Sequence, residues 1–139
     1  MTRLLMPIKA IQSQGAEMAL FNLDKKLANA IGAEEQWQLF RLYQNTKLHQ
    51  DLVGSISKEI EAHPEQEIRS RQLGAKLLGQ VDLNSYAGTN SSGMTTESLG
   101  GFFGMVLWNH LADSDQDWVF YPDKDQAGNS AGMVYFRSI

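Results

Sequence analysis

Cysteine is absent from the 139 residues. Disulfides, thiolate zinc sites, iron–sulfur clusters and cysteine nucleophiles are excluded together, and the composition fits a reducing compartment. The expected localisation is cytoplasmic. Lysine and arginine are missing from every position between Leu77 and Asp123. No apolar run is long enough to span a bilayer, and Met1 to Ile11, with Arg3, Pro7 and Lys9, lacks the hydrophobic region of a secretory leader. A soluble chain without a membrane partner is therefore expected. A flexible linker is also missing, so residues 1–139 are expected to form a single domain that buries roughly two thirds of its unfolded surface.

The charge is unevenly spread. Up to Gly79 ten basic residues stand against nine acidic ones, whereas the remainder holds two basic and seven acidic residues, which accounts for the net charge of −4. Nucleic-acid binding draws on many lysine and arginine contacts to phosphates, so no direct nucleic-acid partner is expected. Asp82, Glu97, Asp113, Asp115, Asp117 and Asp123 lie in the stretch without a basic residue. An acidic surface facing a basic protein partner follows.

Helical periodicity dominates the first half. Leu20, Leu23, Leu27, Ala30 and Ile31 share one face of a helix from Ala16 to Ile31, with Gly32 as its terminator. A second helix starts near Ala33, where Glu34 and Glu35 complement the N-terminal dipole, and it carries Trp37, Leu39, Phe40, Leu42 and Tyr43. After a break around Asn45 or Thr46, Leu48, Leu52, Val53, Ile56 and Ile60 repeat at helical spacing as far as Ala62, with Gly54 weakening the middle. His63-Pro64 suits a new helix from Pro64 to Leu78, which ends at Gly79. Its Arg69, Arg71 and Lys76 read as a solvated face, or as a small anion-binding one.

Residues from Gln80 to Met94 lose periodicity and gather turn-forming types, a long connection that suits a lid, a recognition surface or a disordered tether. Thr96 to Leu111 is the clearest buried helix, with Leu99, Phe102, Phe103, Val106, Leu107, His110 and Leu111 at three- and four-residue steps. Gly100 and Gly104 predict close approach of another backbone on one side. Trp118 to Tyr121 and Met133 to Phe136 are rich in strand formers and predict an antiparallel hairpin, to which Leu4 to Ile8 supplies a further strand.

Four patterns approach a chemical motif and stop short. Gly88 to Thr95 matches a phosphate loop except that Met94 stands where lysine is needed, and Thr95 or Thr96 serves instead as a helix cap. Asp113, Asp115 and Asp117 match the first alternating ligands of a calcium loop, but Trp118 and Lys124 occupy the positions of its glycine and its bidentate glutamate. Thr96 to Gly100 resembles a nucleophile elbow, yet Ser98 and His110 lie about 18 Å apart on one helix. His49, His63 and His110 have no ligand spacing between them; burial of His110 would demand a hydrogen-bond partner and lower its pKa. No catalytic residue, metal site or cofactor is therefore expected.

The resulting expectation is an α+β fold, a mainly helical domain of four or five helices around Leu99 to Leu111, with a C-terminal antiparallel β-hairpin joined by an N-terminal strand. The expected function is a small protein-binding module of inhibitor, immunity or regulatory adaptor type. Its partner-binding residues are Asp113, Asp115, Asp117, Trp118, Tyr121, Asp123 and Asp125. Two alternatives stand beside it. One is a small-molecule- or cation-binding protein or enzyme, with residues 86–95 closing over a pocket near Trp108, Asn109 and His110. The other is a homo-oligomeric assembly subunit joined through the hairpin edge or the glycine-bearing helix.

Overall fold

The computed structural model describes residues 6–9, 34–64, 67–124, 126–127 and 130–137; the helix expected from Ala16 to Ile31 lies outside them. In chain order the described elements are β1 (Met6–Pro7), α1 (Glu34–Tyr43), α2 (Lys47–Ala62), β2 (Ile68–Arg69), α3 (Ser70–Leu78), a 3-10 turn (Leu83–Tyr86), α4 (Thr96–Ala112), β3 (Trp118–Lys124) and β4 (Ser130–Arg137). This is the expected α+β arrangement of helices with C-terminal strands.

The break between α1 and α2 has a backbone cause. Asn45 adopts φ 64°, a left-handed conformation that asparagine tolerates better than most residues. Thr46 then caps α2, its side chain accepting from the His49 amide. Leu48, Leu52 and Ile56 recur every four residues and are buried, while Gly54 sits on the exposed opposite face.

Part of the connection Gln80 to Met94 is packed against the start of α2. The first amides of any helix lack intrahelical acceptors. Here Lys47 N donates to Asn90 Oδ1 at 3.3 Å and Leu48 N to Ser91 Oγ at 3.0 Å, so the connection satisfies the start of α2. Ser91 is only 1% exposed and Met94 is buried in the core. A 3-10 turn, not a strand, precedes the stretch from Gly88 to Thr95, and Thr95 caps α4 through a bond from Ser98 N at 3.2 Å. The resemblance to a phosphate loop therefore ends in helix capping.

The helix expected to start at Pro64 starts at Ser70 instead. Ile68 and Arg69 form β2, paired with Tyr135 and Val134 of β4. Strand pairing satisfies the edge amides and carbonyls of β4, and this non-local contact outweighs the local helical pattern. The sheet order is β1-β3-β4-β2, with Met6 opposite Phe120 and Pro7 opposite Val119, so the N-terminal strand joins the hairpin as expected.

α4 forms the centre. Leu99, Phe102, Phe103, Met105, Val106, Leu107, Trp108, Leu111 and Ala112 are all buried along it, so it is wrapped on most sides. Its Trp108 ring meets Phe120 edge-on at 5.0 Å and Tyr135 at 6.4 Å, which defines the helix-facing side of the sheet. Close approach occurs elsewhere than expected. Gly100 and Gly104 have no atom within 4 Å of an added Cβ, whereas Gly74 of α3 would place one 3.3 Å from the Phe103 ring, and Gly101 would place one 3.1 Å from Gln36 Nε2.

A candidate binding groove at Trp118 and Arg137

β3 and β4 pair Trp118 with Arg137 and Phe120 with Tyr135. Side chains alternate across a strand, so Trp118 shares the helix-facing side with Phe120. Trp118 is only 3% exposed, and the Arg137 guanidinium lies over its indole at 5.2 Å from the ring centre. This pair forms the junction between two depressions.

The smaller depression, about 190 Å³, is bounded by the C-terminal end of α2, by β2 and by α3. Its charges are mostly matched. Glu59 Oε1 lies 2.8 Å from Lys76 Nζ, and Glu67 Oε1 lies 2.8 Å from Arg69 Nε. Arg69 also reaches across β4 to Asp123 on β3, at 3.1 Å, and its pKa is raised, first by the hydrogen bond to Glu67. His63 Nε2 stands 3.9 Å from Glu59 Oε2. The larger depression, about 410 Å³, lies between the end of α2 and the turn from α4 to β3, and includes Glu61, His110, Asp115 and Gln116. Both contain Ile60, Trp118 and Arg137. Neither includes any of residues 86–95, so a pocket under that segment does not coincide with either of them.

Two donors at the junction lack acceptors among the described residues. Trp118 Nε1 and Arg137 Nε are both buried, and neither has a hydrogen-bond partner among the described residues. Arg137 has no carboxylate partner among them either, in contrast to Arg69 and Lys76. A buried unsatisfied donor costs about 1–3 kcal/mol, more beside a charge. His110, at the wall of the larger depression, has its pKa lowered by burial and partly restored by the Asp113 carboxylate.

Of the sequence-predicted binding residues, the two aromatic ones are buried and the described aspartates are divided between paired and exposed positions. Trp118 is buried against the helices, and Tyr121, 7% exposed, stacks on Phe136 with ring centres 5.6 Å apart. Asp123 is paired with Arg69, and Asp117 lies 3.4 Å from Lys9. Asp113 and Asp115 are exposed at the turn after α4, and Asp125 lies outside the described residues. The alternation that turns Trp118 inward is the same that makes the segment a strand, so its burial was implicit in the hairpin reading. Among the described residues no group of three His, Cys, Asp or Glu side chains is placed to hold a metal ion, and no helix is long and apolar enough to cross a membrane.

Sequence reasoning missed Arg137, Glu59, Glu61 and Glu67. Glu59 and Glu61 come from α2, Glu67 from the residue before β2 and Arg137 from β4, and no motif spacing links them. Only Arg137 left a signal: it directly follows the expected strand Met133 to Phe136, although the pairing that sets it opposite Trp118 is decided by the fold. The chain matches no family model, no curated protein and no solved structure.

Proposed function

We propose that the chain is a small protein-binding module whose paired depressions around Trp118 and Arg137 receive a segment of a partner protein. The observation that supports this reading most is the junction itself: an open groove whose floor is a buried tryptophan and an arginine with no carboxylate partner among the described residues. Buried tryptophan and arginine are the residue types that concentrate binding energy at protein interfaces. On the other side of the groove Glu61 and Asp115, with Asp113 nearby, have no ion pair among the described residues. They suit a basic group of the partner, and such complementarity speeds encounter more than it adds affinity. The expected acidic surface thus contracts to this one rim.

Photo-crosslinking in the native cell tests the reading. A photoreactive residue at Gln116 or at Gln72, which border the larger and smaller depressions, should trap the same partner, whereas one at exposed Gln50, near the opposite end of α2, should not. Glu61→Gln with Asp115→Asn should lower the yield, and more so at low salt. Adducts from Gln50 alone, or from none of the three, would sink the proposal. An adduct of twice the chain mass would replace the foreign partner with a second copy.

A further inference from the structure

Resting on that reading, we infer that Arg137, backed by Trp118, is the seat for one carboxylate of the partner segment, an aspartate or glutamate side chain. Arg69 and Lys76, the other arginine and lysine at the smaller depression, are already matched by Glu67 with Asp123 and by Glu59. Arg137 is the lining cation without a carboxylate partner among the described residues. A monoanion brings less charge beside Glu59 and Glu67 than a phosphate dianion does. The volume agrees, since about 190 Å³ is below the roughly 300–1,000 Å³ of sites that enclose a drug-sized ligand and suits a single side chain.

The donor geometry is the independent observation. Arg137 Nε belongs to the edge of a guanidinium that binds a carboxylate through two parallel N–H bonds, and this N–H has no acceptor among the described residues. The Trp118 indole N–H, in a side chain 97% buried by its 3% exposure, lacks an acceptor as well. The guanidinium lies over that indole. Both donor atoms are buried, so an incoming carboxylate would reach them through a shift of the guanidinium and of the indole. The Trp118 ring supports the guanidinium from one side through a cation–π contact that is in place before the ligand arrives.

The test uses the full chain and nitrogen-detected magnetic resonance of the arginine Nε–H and tryptophan indole signals at constant ionic strength. The probes are N-acetylglutamate methylamide, its glutamine counterpart and inorganic phosphate. The glutamate probe should move the Arg137 and Trp118 signals together and saturably, and the glutamine probe should leave them in place. The Trp37 indole is also buried without an acceptor and does not border either depression, so it should stay still. Arg137→Lys, which keeps the charge and loses the fork, should weaken the response of Trp118 about tenfold, with circular dichroism showing that it is folded. If that variant unfolds, the titration of the unaltered chain decides alone. Equal response to both amino-acid probes, tighter binding of phosphate, or no movement would each overturn the carboxylate seat. Crosslinking at Gln116 and Gln72 that persists in Arg137→Lys at full yield would overturn the seat while leaving the groove reading intact; loss of site-specific crosslinking in the unaltered chain would remove the groove reading itself.

Discussion

The Tyr86 hydroxyl donates to the Asp51 carboxylate at 2.6 Å, tying the 3-10 turn to the second turn of α2. The bond holds Asp51 below its ordinary pKa, with a further contribution from Lys47, which sits 3.0 Å away. Burial, followed by the same bond, pushes Tyr86 up to about 12. Tyr86→Phe should destabilise the protein by about 1 kcal/mol at neutral pH, a value kept low because Asp51 is half exposed. The signs are opposite at the two ends of the pH scale. A depressed carboxylate contributes stability above its unfolded pKa and loses it as pH falls through the folded value, so the penalty of Tyr86→Phe should shrink in acid. A raised phenol contributes stability below 10 and loses it as pH rises towards 12, so the native chain should weaken there. Urea titrations across pH measure both.

Removing Ser91 Oγ should matter more than its place in a glycine- and serine-rich connection implies. Ser91→Ala leaves the Leu48 amide buried without its acceptor and should cost about 1–3 kcal/mol. Amide hydrogen exchange at Leu48 and Asn90 should accelerate along with it; a loss below about 0.3 kcal/mol would mean that the connection does not support α2.

Two glycines are predicted to respond with opposite signs. Gly54 lies inside α2 with open space around it, so Gly54→Ala should stabilise by about 1 kcal/mol. Gly132 has φ +93°, and an added Cβ would collide with Ser70 Oγ, which already accepts from the Met133 amide at 2.9 Å. Gly132→Ala should destabilise by about 2 kcal/mol or more. Thermal melts of the two variants give the comparison directly.

Acid should weaken the fold through two histidines. Burial lowers the pKa of both His49 and His110. His49 Nδ1 accepts from the Asn45 amide at 2.7 Å, which requires that nitrogen to be unprotonated. Below 6.5 the unfolded chain therefore binds more protons than the folded one, and stability falls as pH drops from that value through the lower folded pKa values. His49→Gln combined with His110→Gln should flatten the slope between pH 6.5 and about 5. An unchanged slope would assign the acid sensitivity to the carboxylates.

Much of the fold could be read from local pattern. The four-residue recurrence of Leu48, Leu52 and Ile56, the dense apolar run of α4 and the alternation of Trp118 with Phe120 each require one period, and burial follows from it. The site was less legible. The carboxylates of the last third are conspicuous in sequence because no basic residue is near them along the chain, yet Asp117 and Asp123 find Lys9 and Arg69 through the fold. Charge counted along a chain says little about charge balanced in space.

Composition and periodicity alone settle that this chain makes helices with a terminal hairpin, because a helix or a strand must turn its apolar residues to one side and those residues are spaced accordingly. They do not settle that Ile68 and Arg69 leave a helical pattern to pair with β4, nor that Arg137 lies over Trp118 without a carboxylate partner among the described residues. Both depend on contacts between segments about 20 to 65 residues apart, where the partner's edge or charge decides the outcome and no local spacing records it.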